Sequence, residues 1–293
     1  MVTQSVNNPK STERLDYTIE DASAYRLVDD SETAKYGLTA NLHLDPCITY
    51  WQGTQMNLPA GVTIYGDIYC DDNITIMGYI DGDVYSRLAV TDAGTITGNI
   101  LPPVASPPVP LPLLAPGDFN SEYYIGDDTY NVDRGSGGEG PYTLNVGPSA
   151  NNPAGVYWYP GSIVLEGDCR INGTLVVTSD LRLTETCSLT IDAQKNFPAL
   201  IVGRDFIVDA NDVSADITGL VQIGNHINMQ NKTGAIVDVL GALYVLGDGI
   251  QNTTGSTITV TTGPVEAAIK TDLEAGLTIW TPTGGAIYKS LKQ

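Results

Sequence analysis

Short runs that alternate apolar and polar residues recur in the first third of the chain, as in Val62-Thr63-Ile64 and Ile74-Thr75-Ile76. This period-two alternation predicts short β-strands with one buried face. A glycine followed by Asp or Asn and then by an apolar residue occurs at Gly66, Gly82 and Gly98, at a constant interval of sixteen residues. A unit of that length fits one coil of short strands stacked on the coil before it, which is a parallel β-helix. We place the glycines at corners of the coil, where a side chain would clash.

A second set of predicted strands begins near Gly161 and has longer, looser repeats. Apolar runs of one shape start at positions 173, 199, 219 and 241, which are 26, 20 and 22 residues apart. Each of the last three runs is followed by a second apolar pair and then by a third strand, so we predict three strands per coil. Apolar positions that recur from coil to coil are expected to form the inward ladder, which includes Ile64, Ile76, Val176, Ile201, Val221 and Val245.

The segments outside the two arrays differ in composition. Seven of the seventeen prolines lie between positions 102 and 116, where they predict an extended connector or, alternatively, a ligand for a proline-recognising domain. Residues 264–276 have an early proline, good helix formers and a final glycine, so they predict a short helix that caps the coil together with Trp280. The predicted divisions are an N-terminal lead and cover segment (1–57), a first β-helix array (58–100), a proline-rich connector and aromatic irregular segment (101–160), a second β-helix array (161–263) and a C-terminal cap (264–293).

These patterns together predict an all-β fold. The expected architecture is a single-stranded parallel β-helix, expected to be right-handed, with a short N-terminal helical or irregular segment and a C-terminal cap. A cap is required because an open coil end exposes core residues and unpaired backbone groups.

The chain of 293 residues is strongly acidic, with a formal net charge of −20. Such a charge repels nucleic acids and anionic membrane surfaces, so we expect neither as a partner. We expect most Asp and Glu residues at solvated, outward strand positions. No apolar run reaches the roughly eighteen residues of a membrane helix, and residues 1–8 lack the basic and apolar regions of a signal peptide. We therefore expect a native export or membrane segment to be absent from this chain.

Four cysteines offer two pairs. Cys169 and Cys187 are about one coil apart, and Cys47 and Cys70 are separated by a slightly longer interval. Stacked coils can bring each pair within the Cα separation of a disulfide, roughly 4.4–6.8 Å, and the alternative is a ladder of buried thiols. No Cys-x-x-Cys pair occurs and the two histidines are remote from each other in the sequence, so we expect no metal site and no cofactor.

Aromatic residues are dense beside the proline-rich connector, at Tyr123, Tyr124, Tyr157, Trp158 and Tyr159. Rings with polar edges stack on sugars or fill protein interfaces, which makes these residues a candidate binding surface. The alternative interpretation is that they pack on the flank of the β-helix, because Tyr157 and Tyr159 alternate with Trp158 as in a half-buried strand.

The sequence shows no constellation of catalytic residues. Polysaccharide-cleaving enzymes need acids or bases that converge on one face of the coil. The adjacent pairs Asp29-Asp30, Asp71-Asp72 and Asp127-Asp128 would point to opposite faces of a strand, and no Gly-x-Ser-x-Gly motif is present. We therefore predict that the protein is not an enzyme.

The first array resembles the bactofilin type of coil through its Gly-Asp/Asn-apolar repeats. Residues 152–158 and 196–203, with the tail at 280–290, are similar to uncharacterised bacterial envelope β-helix proteins related to type IV pilus accessory proteins. The resemblance implies a secreted, pilus-associated structural or adhesive protein of the cell surface or periplasm. Its expected partner is an envelope or pilus protein or an extracellular glycan, and we expect a monomer. The alternatives are a bactofilin-like polymer-forming scaffold and a β-helix polysaccharide-active enzyme or glycan-binding module.

Overall fold

The structure is a computed structural model. It describes residues 57–103 and 115–261, except positions 71, 126, 127, 195, 196, 230, 248, 253 and 254 and the side chains of residues 124, 125 and 252. Outside these ranges it describes only the backbone of strands, at residues 2–5, 14–17, 36–42, 49–51, 56 and 265–271.

The described strands form a parallel β-solenoid of about nine coils, which confirms the predicted fold class. The solenoid has three faces, and the strands of each face stack in the following spatial order. Face 1 contains Asp133–Arg134, Val156–Tyr159, Thr174–Val177, Leu200–Val202, the second halves of Ser214–Ile223 and Ile236–Val245, Thr49–Trp51, Ile68–Cys70 and Val84–Ser86. Face 2 contains Ile163–Leu165, Leu181–Leu183, Phe206–Val208, His226–Met229, Gly249–Asn252, Met56–Leu58, Ile74–Ile76 and Val90–Asp92. Face 3 contains Asn145–Val146, Asp168–Asn172, Ser188–Asp192, the first halves of Ser214–Ile223 and Ile236–Val245, Thr257–Thr261, Val62–Tyr65, Tyr79–Asp81 and Thr95–Ile96.

The first array has the sixteen-residue coil that its sequence predicts. Val84 lies opposite Ile68 of the neighbouring coil, and Thr95 lies opposite Tyr79. Stacking of these coils leaves no room for a side chain at Gly82, where a Cβ atom would lie 2.3 Å from the backbone oxygen of the glycine one coil earlier. Contact between backbones therefore requires glycine at this corner.

The Asp or Asn that follows each corner glycine joins neighbouring coils. Oδ1 of Asp67 accepts the backbone N–H of Asp83 at 2.7 Å, and Oδ1 of Asp83 accepts the backbone N–H of Asn99 at 2.7 Å. These side chains satisfy backbone donors at the corner, where the chain leaves one strand for the next. This role of the Gly-Asp step was not predicted, because the acidic residues were interpreted as solvated charges.

The two arrays stack in an order that differs from their order in the sequence. Val62–Tyr65 of the first array pairs in parallel with Thr257–Thr261, the last face 3 strand of the second array. On face 1, Thr49–Trp51 likewise pairs with Ile236–Val245. The chain therefore enters the solenoid in the middle, runs to one end near residue 100, and re-enters at the opposite end, where Asp133–Arg134 is the terminal strand.

The middle strands of face 1 are buried on both of their sides. These strands are continuous apolar runs, such as Leu200–Val202, which is typical of strands that are covered on both sides. On the outside, the 3-10 helix Pro116–Phe119 contacts Val156–Tyr159 and Thr174–Val177. Farther along the face, Val265–Thr271 contacts Ser214–Ile223. The outer column of these middle strands is buried and aligns Trp158, Val176, Ile201, Gln222 and Tyr244.

The predicted inward ladder is confirmed in part. All six of its members are buried. However, Val176 and Ile201 align with the polar Gln222 in the outer column, whereas Val221 and Val245 occupy the alternate, inward positions. The assignment of Val176 and Ile201 to the interior was wrong, because a covered outer face selects apolar residues as the core does.

The helix predicted over residues 264–276 is wrong. Val265–Thr271 is a strand that pairs antiparallel with Tyr36–Leu42. Three of the four alternate positions 265, 267, 269 and 271 hold β-branched residues. The partner strand lies near the other end of the sequence, beyond the reach of local helix signals. Among the described residues, the only helical segment is Pro116–Phe119, and Trp280 lies outside them.

Two further antiparallel pairs lie outside the coils. Val2–Ser5 pairs with Arg14–Tyr17, and Glu122–Ile125 pairs with Asp128–Asn131. The described part of the N-terminal segment therefore consists of strands, and the rest of it lies outside the described residues.

Candidate functional site

Face 3 is the broadest open surface in the described part of the solenoid. Its five-residue strands present up to three outward side chains, whereas the three-residue strands of face 2 present one. Neighbouring coils align these side chains in columns with many Ser, Thr and Asp residues. The columns are Asp168, Ser188, Ser214, Ile236 and Thr257; Arg170, Thr190, Asp216, Asp238, Thr259, Thr63, Tyr79 and Thr95; and Asn172, Asp192, Thr218, Leu240, Thr261, Tyr65 and Asp81.

An apolar patch interrupts these polar columns in the middle of face 3. Tyr65 is 44% exposed and Leu240 is 47% exposed, and Thr261 lies between them in one column. Tyr79 is in the neighbouring column, with its ring centroid 6.0 Å from that of Tyr65. We call Tyr65, Tyr79, Leu240 and Thr261 the junction patch, because two of its residues come from each array.

The junction patch faces outward because the alternate positions of its strands are apolar. In Thr257–Thr261, Ile258 and Val260 are buried, so the threonines point outward. In Val62–Tyr65, Val62 and Ile64 are buried, which places Tyr65 on the outside. The patch was not predicted, because nothing in the sequence pairs these two distant strands.

Most of the aromatic residues predicted as a binding surface are buried. The hydroxyl of Tyr123 donates to Oδ1 of Asn152 at 2.7 Å and accepts the N–H of Ala154 at 2.9 Å. The Tyr123 ring contacts those of Tyr130 and Phe197 at centroid distances of 5.8 and 5.0 Å. Burial raises the pKa of Tyr123 to about 12, so the hydroxyl stays protonated and keeps its donor role at neutral pH.

Asn152 is the centre of this buried network and is only 1% exposed. Its Oδ1 also accepts the N–H of Val156 at 2.9 Å. Its Nδ2 donates to Oδ2 of Asp133 at 2.8 Å and to the Val156 carbonyl at 3.0 Å. The role of Asn152 was missed, because one Asn in a polar loop carries no distinctive sequence signal.

Trp158 lies on the outer side of its strand, opposite to its two tyrosine neighbours. Its Nε1 donates to the Pro116 carbonyl at 3.0 Å, and the Arg134 guanidinium lies 4.5 Å from its ring centroid. These contacts hold Trp158 beneath the segment that covers face 1, with 8% of the residue exposed.

Tyr157 and Tyr159 share the other side of the strand, as the alternation predicts. Both side chains approach Gly135, and the Tyr159 hydroxyl donates to the Gly138 carbonyl. Tyr159 is buried and Tyr157 is half-buried. The side chain of Tyr124 lies outside the described part of the structure.

The structure brings one of the two predicted cysteine pairs together. Cys169 and Cys187 are buried in adjacent coils, with their thiols in hydrogen-bonding contact. The hydrogen bond from Cys187 lowers the pKa of Cys169 to about 7, and the same contact together with burial raises the pKa of Cys187. Cys70 is buried with its Sγ 3.7 Å from the Asn73 carbonyl oxygen, and Cys47 lies outside the described residues.

A carboxylate–imidazole contact at the corner between faces 1 and 2 was not predicted. Oδ1 of Asp205 lies 2.5 Å from Nδ1 of His226 and accepts Nδ2 of Asn225 at 2.8 Å. Burial opposes ionisation of Asp205, but the hydrogen bonds from His226 and Asn225 prevail and lower its pKa. The backbone N–H of Asp205 donates to Oδ1 of Asp180 at 3.3 Å, so these carboxylates bridge successive coils as the Asp ladder of the first array does.

Within the described ranges, no group of three or more His, Cys, Asp and Glu side chains is arranged to hold a metal ion. The described residues also include no helix long and apolar enough to cross a membrane. Each of the three adjacent acidic pairs considered in the sequence has at least one member outside the described residues.

No protein-family model matches this chain, and no curated protein matches it. Among solved structures, the chain is similar to the ice-binding protein from the Antarctic ascomycete Antarctomyces psychrotrophicus. The identity is 16%, the similarity covers 74% of this chain and 95% of that chain, and the TM-score is 0.37. Similarity at this level assigns no function. The resemblances to bactofilins and to pilus-related envelope proteins stay predictions.

Proposed function

We propose that the protein is a non-catalytic adhesive solenoid of the bacterial cell envelope, which binds an uncharged extracellular glycan on face 3. The observation that carries this proposal is the junction patch, where the rings of Tyr65 and Tyr79 stand beside exposed polar residues on an open sheet. The aromatic residues beside the connector are a weaker candidate surface, because most of their described side chains are buried.

The chemistry of the junction patch suits a sugar chain. Tyrosine offers an apolar ring for the apolar side of a sugar and a hydroxyl for its polar edge. Thr259, Thr261 and Asp81 add hydroxyl and carboxylate groups on neighbouring strands, which are spaced about 4.8 Å apart. A net charge of −20 disfavours an acidic polysaccharide, so we assign a neutral one.

The solenoid under the junction patch provides a rigid support. Ile64, Ile80 and Val260 lie beneath it and are fully buried. Strands from both arrays are hydrogen-bonded in register through this region. A preorganised face loses little conformational entropy on binding, which favours capture of an extended polymer.

Binding to neutral polysaccharides, measured by affinity gel electrophoresis, tests the proposal. We expect the double variant Tyr65→Ala/Tyr79→Ala to bind about tenfold more weakly or worse, because loss of about 1.4 kcal/mol of stacking energy already has that effect. The control is Tyr85→Ala, which removes a half-buried tyrosine of the same array on face 1. We expect this control to bind as the wild type does.

Three results would contradict the proposal. Undiminished binding by the Tyr65→Ala/Tyr79→Ala variant would exclude the junction patch as the site. Failure of the wild type to bind any neutral polysaccharide in a broad panel would exclude the proposed function, and turnover of a polysaccharide would show that the protein is an enzyme.

A second candidate function, ice binding, is favoured by the threonines of face 3. Thr257, Thr259 and Thr261 point outward from one strand, and Thr63 continues the array on the next strand about 4.8 Å away. These threonines present hydroxyl and methyl groups to the solvent in a regular array, which is the feature that makes ice a candidate ligand. Measurement of thermal hysteresis tests this second function. Thermal hysteresis in the wild type that is lost in the Thr259→Tyr variant would favour ice binding, and a wild type without thermal hysteresis would exclude ice binding.

We further propose that the protein acts outside the cytoplasm, at the cell surface or in the periplasm, as a monomer associated with envelope or pilus proteins. Support comes from the sequence resemblance and from the fit of the junction patch to an extracellular glycan. A bactofilin-like polymer is the alternative for the oligomeric state. Filaments of the purified protein in electron micrographs would favour that alternative.

A further inference from the structure

We propose that Cys169 and Cys187 form a disulfide that links two adjacent coils near the end of the solenoid that carries residues 133–146. In this proposal Cys169 is the attacking thiolate and Cys187 is the resolving thiol. The proposal does not depend on glycan binding, because the two cysteines lie at least two coils away from the junction patch.

The strand register places both thiols in the interior. Asp168–Asn172 and Ser188–Asp192 are neighbours on face 3, and Cys169 lies opposite Leu189. Cys187 comes two residues before Leu189, so both residues point inward. Cys169 is 2% exposed and Cys187 is 1% exposed, and the two thiols are in hydrogen-bonding contact.

The surroundings of the two sulfurs differ, and this difference assigns their roles. Sγ of Cys169 accepts the N–H of Leu144 at 3.3 Å, contacts the thiol of Cys187, and lies 3.5 Å from the Glu166 carbonyl oxygen and 3.7 Å from that of Tyr142. The hydrogen bond with Cys187 and the N–H of Leu144 favour the thiolate and outweigh the effect of burial, so the pKa of Cys169 is lowered to about 7. The thiol of Cys187 is the donor in this contact, and its pKa is raised. Cys169 is therefore the thiol that reacts first with an oxidant.

The oxidant is a small disulfide such as oxidised glutathione. The Cys169 thiolate attacks one sulfur of that disulfide, forms a mixed disulfide and displaces one glutathione thiolate. Cys187 then loses its proton and attacks the Cys169 sulfur, which forms the protein disulfide and displaces the second glutathione thiolate. Two protein thiols are oxidised, one small disulfide is reduced, and the two protons end on the two glutathione thiols. Because both cysteines are buried, the reaction takes place during folding or after local opening of the coil end.

The disulfide would secure the end of the solenoid. Cys169 already holds residues 142–146 through its hydrogen bond with Leu144, and Asn145–Val146 pairs with the strand that contains Cys169. The new bond closes a loop of nineteen residues between positions 169 and 187. A closed loop of this size restricts the unfolded chain and thereby stabilises the folded protein.

Refolding of the full chain in a glutathione redox buffer tests the proposal. After refolding, the chain is unfolded in denaturant that contains iodoacetamide, which traps all free thiols, and peptides are mapped by mass spectrometry without reduction. We expect the peptides that carry Cys169 and Cys187 to be linked. The mass of the linked species should be two hydrogens lower than the sum of the masses of the two reduced peptides. We also expect dithiothreitol to lower the Tm of the oxidised protein by about 5–10 °C.

Two variants separate this disulfide from other effects of the reductant. Cys187→Ala should leave Cys169 alkylated and make the Tm independent of dithiothreitol. Cys70→Ala removes a buried cysteine outside the pair and should keep both the linkage and the Tm shift. Recovery of Cys169 and Cys187 as alkylated thiols, or linkage of either one to Cys47 or Cys70, would overturn the proposal.

Discussion

Replacement of Gly82 by alanine is expected to lower the free energy of unfolding by about 3 kcal/mol. An added Cβ atom would lie 2.3 Å from the carbonyl oxygen and 2.4 Å from the carbonyl carbon of Gly66. Both are backbone atoms of the adjacent coil, so neither can rotate away as a side chain could. Separation of the coils would stretch the bonds from Gly66 N–H to the Asp81 carbonyl and from Ile68 N–H to the Asp83 carbonyl, which are both 2.9 Å long. Urea unfolding followed by circular dichroism measures the loss.

The matched control for this prediction is Gly138→Ala. A Cβ atom at Gly138 would meet nothing within 4 Å, and the residue is exposed. We expect this variant to unfold within about 0.5 kcal/mol of the wild type. If Gly82→Ala and Gly138→Ala are equally stable, the coils of the first array do not stack as closely as the structure shows.

Replacement of Asn152 by alanine is expected to destabilise the protein by about 3 kcal/mol. The change removes four hydrogen bonds, which Asn152 makes with Tyr123, Asp133 and two backbone groups of Val156. Tyr123 and Val156 are buried, so the donors and acceptors left behind on them would be desolvated without a bond to compensate, whereas Asp133 is exposed to solvent. Thermal and urea unfolding both report the loss.

Two comparisons make this result specific to the network. Asn151→Ala alters the exposed neighbouring residue and should change stability by less than about 0.5 kcal/mol. Tyr123→Phe removes one hydroxyl from the network and should cause an intermediate loss of about 1–2 kcal/mol. A loss of stability in Asn152→Ala no larger than that in Asn151→Ala would show that the buried network does not stabilise the end of the solenoid that carries residues 133–159.

The coil of the first array was predictable because two independent signals share one period. Corner glycines at Gly66, Gly82 and Gly98 and the alternating strands between them both repeat every sixteen residues. Each signal has a local cause, since backbone contact excludes a side chain at the corner and alternation follows from one buried face. Because both causes act on neighbouring residues, they produce patterns that can be recognised in a single sequence.

The direction of the face 1 side chains was only partly predictable. A run such as Leu200–Val202 shows that its residues are buried but not which of them point inward. Val176 and Ile201 were assigned to the interior because they recur with the coil, and outer positions recur with the same period. The helix Pro116–Phe119, which covers the strand of Val176, comes from another part of the chain.

The order of the arrays was not predictable from local patterns. Every parallel strand of a solenoid can pair with a strand on either side, so the sequence of one coil does not identify its neighbours. The pairing of Thr257–Thr261 with Val62–Tyr65 joins parts of the chain almost two hundred residues apart. The junction patch depends on that pairing, since Tyr65 and Leu240 lie in one column only when the arrays stack in this order.

Cross-linking between the two arrays tests this stacking most directly. Thr63 and Thr259 lie opposite each other in register and point outward, which brings their Cα atoms within the range of a disulfide, roughly 4.4–6.8 Å. In the double variant Thr63→Cys/Thr259→Cys, we predict that mild oxidation joins the two introduced thiols within one chain, as shown by non-reduced peptide mapping and a monomeric band on a gel. The control Thr63→Cys/Thr190→Cys places the thiols in one column but several strands apart, and it should not cross-link. Failure of the Thr63/Thr259 pair to cross-link, or cross-linking only between two chains, would contradict the account.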